Sequence, residues 1–103
     1  MKHRELASFI RDLRQLSKTE RETFLQVLHR EFHPACVRFV SDPSTPWPRS
    51  LRVKRVQGVP GVWEMTWSFA GPAGRATFEW VEIDGEPGIQ WRRIGGHEIF
   101  ERA

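Results

Sequence analysis

The spacing of apolar residues changes once along the chain, and this change limits the folds that the sequence can adopt. In residues 3–32 the apolar side chains recur every three or four positions, which is typical of amphipathic helices. From residue 51 onward they alternate with polar side chains, which is typical of strands with one buried face. Residues 41–50 separate the two parts and contain three prolines, so this segment favours neither a helix nor a central strand.

Two helices are predicted in the first part of the chain. The first covers residues 3–16 and the second covers residues 18–32. Between them Ser17, followed three residues later by a glutamate, has the spacing of a capping box. Pro34 ends or kinks the second helix, because the residue before a proline disfavours helical geometry. Residues 35–40 fit either a further helical turn or a short extended piece.

The second part predicts a sheet of four strands joined by short turns rich in glycine and proline. Short connections make consecutive strands antiparallel neighbours. The helices are expected to cover the face that carries Trp63 and Trp67, which leaves the other face open to solvent or to a ligand. The predicted strands cover residues 51–56, 62–69, 75–83 and 89–94.

The predicted fold class is therefore α+β, with an N-terminal helical hairpin packed on a four-stranded antiparallel sheet. We expect a single domain over residues 1–103. Within it, residues 1–40 form the hairpin, residues 41–50 a proline-rich linker, and residues 51–103 the sheet and a tail.

Length and composition exclude several function classes. A chain of 103 residues is too short for a doubly wound nucleotide-binding fold or a barrel enzyme. Its apolar runs are too short for a membrane span or a signal peptide. The single cysteine, Cys36, is expected to be a small core residue rather than a nucleophile. These features predict a cytoplasmic protein with no membrane partner.

The histidines and glycines match no metal or phosphate motif. His29 and His33 are four residues apart, but a zinc protease needs a glutamate directly after the first histidine, and here Glu31 comes second. The glycines lie in turns between strands, whereas a phosphate loop joins a strand to a helix. No metal and no cofactor is expected.

The positive charge is concentrated although the net charge is only +3. Residues 43–63 contain no acid, and four of the basic residues fall there. On a strand, Arg52 and Lys54 lie on one side about 7 Å apart, close to the spacing of phosphates along one nucleic-acid strand. Composition alone favours the alternative of a solvated charged face.

The end of the last strand adds an imidazole to this pattern. Arg92 and His97 are expected to meet the cations of the first strand if the sheet brings its edges together. A histidine beside cations has what RNA cleavage without a metal requires, namely a group that moves a proton and charges that stabilise the transition state.

Several segments of the chain resemble the RelE/ParE toxin superfamily, and the similarity covers residues 5–102. The end of the chain is similar to the YafQ-like branch, in which a Gly-x-His sequence precedes a terminal aromatic residue. The segments that carry the resemblance are residues 51–54, 61–64, 75–78 and 91–100.

The resemblance implies the toxin of a type II toxin–antitoxin system. Such a toxin is a small bacterial endoribonuclease that cleaves mRNA on the ribosome and is restrained by its cognate antitoxin. Operator DNA is then bound only through the antitoxin complex. The catalytic residues that it implies are His97, Arg92 and Arg93, and the RNA-binding residues are Arg52, Lys54, Arg55 and Phe100.

The sequence departs from the family pattern in three ways. The first predicted helix starts almost at Met1, so the edge strand that precedes it in relatives is expected to be absent. Phe100 replaces a tyrosine, and it follows His97 by three residues, one fewer than in the YafQ-like pattern. Two alternatives to the nuclease are a ParE-like inhibitor of DNA gyrase and a partner-binding module whose sheet face docks a peptide.

Overall fold

The computed structural model describes residues 1–68 and 73–96. Helices and strands form two layers. Between these elements lie one turn of π-helix, called the π-turn below, and one 3₁₀ turn. In chain order the elements are β1 (Lys2–Glu5), α1 (Ala7–Gln15), α2 (Lys18–Val27), the π-turn (Leu28–Phe32), α3 (His33–Ser41), the 3₁₀ turn (Arg49–Leu51), β2 (Lys54–Arg55), β3 (Val62–Ser68), β4 (Gly74–Ile83) and β5 (Glu86–Gly95).

The sheet has five strands in the order β1-β5-β4-β3-β2. β1 runs parallel to β5, pairing Lys2 with Gly88 and Glu5 with Trp91. The prediction of a four-stranded sheet without the edge strand is therefore wrong, and so is the prediction that the first helix begins at residue 3. All four residues of β1 are polar and exposed, so the segment lacks the alternation that signals a strand. Its conformation comes from pairing with β5.

The other four strands follow the predicted order. β2, β3, β4 and β5 are consecutive antiparallel neighbours, as the short turns indicate. The predicted first strand over residues 51–56 is reduced to two residues. Leu51 ends the 3₁₀ turn with its side chain fully buried, and Arg52 after it is left-handed, with φ of 45°. This backbone cannot continue a strand.

The helical part contains three helices rather than the predicted hairpin. Ser17 and Glu20 form the predicted capping box, with the Ser17 hydroxyl accepting from the Glu20 amide. α2 ends at Val27, and a π-turn leads into α3, which has Pro34 in its first turn. A proline lacks an N–H, so it fits in the first turn of α3, and the long helix predicted over residues 18–32 is divided into α2 and the π-turn. Residues 35–40 are helical.

The core is aromatic and lies between the helices and one face of the sheet. Phe24 of α2 contacts Trp67 and Trp91, with ring centroids 6.0 and 5.5 Å away. Phe32 of the π-turn contacts Phe78 at 5.2 Å. The prediction that the helices cover the face of Trp63 and Trp67 is confirmed. The polar side chains of the sheet therefore lie at its edges and on the face that the helices do not cover, called the outer face below.

Candidate functional site on the outer face

The centre of the outer face is polar but buried. Glu64 and Thr66 on β3, and Thr77 on β4, alternate with the core residues and are only 3%, 2% and 0% exposed. Glu64 and Thr77 are directly paired across the two strands. The predicted open face is therefore exposed only around this centre.

Glu64 is the central acid of this face. Its Oε1 lies 3.4 Å from Nζ of Lys54 on β2 and 3.6 Å from Nη1 of Arg75 on β4. Within the part of the chain that the structure describes, its Oε2 has no hydrogen-bond partner, nor does the neighbouring Thr77 hydroxyl. A buried carboxylate is costly unless opposite charges compensate it, and the two cations do so here. The second oxygen of Glu64 is itself buried.

A second polar group surrounds Arg92 on β5. Its Nη1 lies 3.4 Å from Oε2 of Glu79 on β4. Gln90 donates to the other oxygen of Glu79 and accepts from Nε of Arg4 on β1 at 2.6 Å. Arg92 sits at a β-bulge beside Thr77, so its backbone lies two strand spacings from Glu64, about 10 Å. The outer face thus carries Lys54 and Arg75 beside the buried Glu64, and Arg92 beside Glu79.

Arg93 has a different environment from the one predicted. Its Nε and Nη2 donate to the carboxylate of Asp12 on α1 at 2.5 and 3.0 Å. Asp12 also accepts from the backbone N–H of Ile94 at 3.1 Å, and it is buried. Beyond the end of β1, side chains of α1 therefore provide hydrogen-bond partners for the backbone at the edge of β5: Asp12 for the N–H of Ile94, and Ser8 for the carbonyl oxygen of Arg92. The contact with Asp12 gives Arg93 a structural partner, and its role as a transition-state cation stays a prediction.

The predicted basic strand does not present its cations as one row. The backbone of Arg52 is in the left-handed conformation, and this residue precedes β2. The spacing predicted for Arg52 and Lys54 on one side of a strand therefore does not apply. Arg55 points its guanidinium at the ring of Trp63, 5.3 Å from the centroid, which is a cation–π contact. Lys54 is the member of this segment that joins the Glu64 cluster.

Two predicted site residues, His97 and Phe100, lie outside the described residues. Among residues 1–68 and 73–96, no group of histidine, cysteine and acidic side chains could hold a metal ion. In the same ranges no helix is long and apolar enough to cross a membrane. Cys36 is buried, and burial raises the pKa of its thiol to about 12. Cys36 therefore stays protonated. Because only the thiolate is a strong nucleophile, it is a core residue and not a nucleophile, as predicted.

Glu64, Arg75 and Glu79 are the outer-face residues that the sequence interpretation missed. A signal for Glu64 was present, since it is the one carboxylate on the polar side of the most apolar strand. Its partners come from two different strands, so their approach depends on strand register, which the sequence pattern does not fix for β2.

Comparison with solved structures assigns the architecture. The chain is similar to the crystal structure of the intact E. coli RelBE toxin–antitoxin complex, with a TM-score of 0.51 and 15% sequence identity. The similarity covers 91% of this chain and 93% of that chain. The fold is RelE-like. This confirms the resemblance noted in the sequence at the level of the fold, whereas no protein-family model and no curated protein matches the sequence.

Proposed function

We propose that this chain is the toxin of a type II toxin–antitoxin pair and acts as a metal-independent endoribonuclease on mRNA, on the ribosome. The observation that carries the proposal is the buried Glu64 carboxylate beside Lys54 and Arg75 on the outer face of a RelE-like fold. A solvated charged surface has no need of a carboxylate that is only 3% exposed and is paired with two cations.

The reaction would be an internal transfer within the RNA. The 2′-hydroxyl attacks the adjacent phosphorus, the O2′–P bond forms and the P–O5′ bond breaks, leaving a 2′,3′-cyclic phosphate and a 5′-hydroxyl. One group must take the proton of the 2′-hydroxyl and another must supply a proton to O5′. Lys54, Arg75 and Arg92 are the cations proposed to stabilise the negative charge of the transition state.

Two residues are candidates for moving the proton. His97 is the base implied by the resemblance, and Glu64 is a second candidate because it is the carboxylate that lies beside Lys54 and Arg75. Their separate substitution therefore tests which group the reaction needs.

Expression of the chain alone is the first experiment. We expect arrest of translation and new 5′ ends in cellular mRNA, both prevented by co-expression of the antitoxin. Normal growth and intact mRNA would contradict the proposal. Inhibition of DNA supercoiling by gyrase with intact mRNA would favour the ParE-like alternative, and binding of a partner without either effect would favour a docking module.

Substitutions then test the roles in a translation reaction with purified protein. We expect His97→Ala to lower the cleavage rate by about 10²-fold or more while antitoxin binding is retained, because general acid–base help is of that size. Glu64→Gln keeps the shape of the side chain and should lower the rate similarly if Glu64 moves a proton. Lys18→Ala removes an exposed side chain of α2; it is the matched control and should leave the rate unchanged. Full activity of either site variant removes that residue from the proposed mechanism.

A further inference from the structure

Arg4 is a cation of the outer face that the proposed mechanism does not use. It lies on β1, the edge strand, where it is exposed and pairs with Gln90 of β5. Its Nε donates to Oε1 of Gln90 at 2.6 Å, and the amide group of Gln90 donates to Glu79. Glu79 also pairs with Arg92 at 3.4 Å. One amide and one carboxylate therefore connect the guanidinium groups of Arg4 and Arg92.

The partner of Arg4 is neutral, whereas five other basic residues of the sheet have a carboxylate partner. These five are Lys2, Lys54, Arg75, Arg92 and Arg93. In the part of the chain that the structure describes, Arg4 has no carboxylate within ion-pair distance, and its hydrogen bond to Gln90 uses Nε. The terminal nitrogens Nη1 and Nη2 can therefore receive an anion, and this planar pair of donors matches the oxygens of a phosphate.

The distance between Arg4 and Arg92 suits a nucleic-acid strand. Gln90, which lies opposite Arg4, comes two residues before Arg92 on β5, so the backbones of the two arginines are roughly 8 Å apart. This distance is close to the spacing of consecutive phosphates along an extended RNA strand. An RNA strand that contacts Arg92 can therefore reach Arg4 with its next phosphate.

The charge around the sheet limits where such a strand can leave the outer face. The turn between β4 and β5 carries three exposed acids, of which Lys2 compensates one: Glu82, Asp84 and Glu86. Acids at this turn repel phosphates, whereas the edge at β1 presents Arg4. Of these two exits from β5, the one across β1 is therefore electrostatically favoured.

We propose that Arg4 binds a phosphate of the RNA next to the phosphate at Arg92, and that the RNA strand leaves the outer face across β1. Gln90 is the positioning residue for Arg4, because its amide group holds the guanidinium group in place and lowers the entropic cost of binding. This site depends on the proposed function, and it defines where the RNA crosses the edge of the sheet.

The test measures binding of labelled single-stranded 2′-O-methyl RNA of about ten nucleotides by fluorescence anisotropy. Arg4→Gln removes the charge, and Arg11→Gln on α1 is the matched control, because Arg11 is an exposed arginine of the helical layer. We expect Arg4→Gln to weaken binding by about fivefold and to make the salt slope shallower by about 0.7, while Arg11→Gln changes neither. Parent affinity in Arg4→Gln, or equal losses in both variants, would contradict the proposal.

A double-mutant cycle tests the role of Gln90. Gln90→Leu removes the acceptor for Arg4, so it should weaken RNA binding more in the parent chain than in Arg4→Gln. The part of the effect that remains in Arg4→Gln measures the loss of the contact between Gln90 and Glu79. An equal loss in both backgrounds would contradict the positioning of Arg4 by Gln90.

The same variants separate the role of Arg4 from the proposed function. If the parent chain cleaves mRNA and Arg4→Gln binds RNA as the parent does, the role of Arg4 is wrong and the proposed function stands. If the parent chain neither binds RNA nor cleaves mRNA, both are wrong. If Arg4→Gln weakens binding of the antitoxin but not of RNA, Arg4 belongs to a protein interface, which also contradicts the proposal.

Discussion

Arg92 and Arg93 are adjacent in the sequence, yet each is held by a different carboxylate. Glu79 faces Arg92 on the outer face, and Asp12 of α1 binds Arg93 at the edge of β5. The sequence indicates two cations near the end of the last strand, and both were predicted to be catalytic. Their separation could not be predicted, because it depends on a β-bulge and on where α1 packs.

Removing the charge of Asp12 tests the structural role of this pair. Asp12→Asn leaves Arg93 without its carboxylate and weakens the acceptor for the Ile94 N–H. We expect the free energy of unfolding to fall by about 2–4 kcal/mol, because breaking one partner of a buried ion pair leaves an uncompensated charge. Urea unfolding measures this change.

The control for this substitution is Glu22→Gln on α2. Glu22 forms an exposed pair with Lys18 at 4.0 Å, and such pairs contribute about 0–1 kcal/mol. Its unfolding free energy should therefore stay close to that of the parent chain. If Asp12→Asn also changes stability by no more than the control, Asp12 and Arg93 do not have the structural role described here.

At the scale of elements, the predictions held where a local signal decides the structure. The capping box at Ser17 and the alternation in β3 and β4 act over a few residues, and both were found as predicted. The sequence did not predict β1, because its polar residues carry no strand signal and its partner, β5, is more than eighty residues away. The prediction also missed the π-turn, because Pro34 interrupts the regular helix while the backbone continues as a helical segment into α3.

The pairing of β1 with β5 depends on a glycine. A Cβ atom added at Gly88 would lie 2.7 Å from Cδ1 of Ile83 and 3.0 Å from the backbone oxygen of Lys2. Gly88→Ala should therefore lower the unfolding free energy by about 1–3 kcal/mol, the usual cost of overpacking. Thermal or urea unfolding measures the loss.

A double-mutant cycle separates the two contacts. Ile83→Val removes Cδ1, so it should relieve part of the cost of Gly88→Ala, while the contacts at 3.0 Å with Cγ1 of residue 83 and with the Lys2 backbone remain. The two effects are then less than additive. Strict additivity would show that Ile83 does not contact the added methyl group, whereas no loss in Gly88→Ala alone would show that β1 does not approach β5 this closely.

For the whole molecule, the placement of charge matters more than its total. The net charge is only +3, but Lys54, Arg75 and Arg92 share the outer face, while the core and helices occupy the other side. The sequence predicted a basic face and two of these three cations. It could not identify Glu64 as the partner of Lys54 and Arg75, because the partners of a carboxylate in a strand depend on the residues of the neighbouring strands.

This arrangement predicts how RNA binding responds to salt. Three cations that contact phosphates release about three counterions, so the logarithm of the association constant should fall with the logarithm of salt concentration with a slope of about −2. A labelled 2′-O-methyl RNA, which cannot be cleaved through its 2′-oxygen, allows the measurement by fluorescence anisotropy. Lys54→Ala should make the slope shallower by about 0.7, because one phosphate contact is lost. Lys18→Ala on α2 keeps the parent slope if the outer face binds the RNA. A steep slope that both variants reduce equally would mean that phosphate contacts are spread over the molecule, and the outer face would then not be the RNA-binding surface.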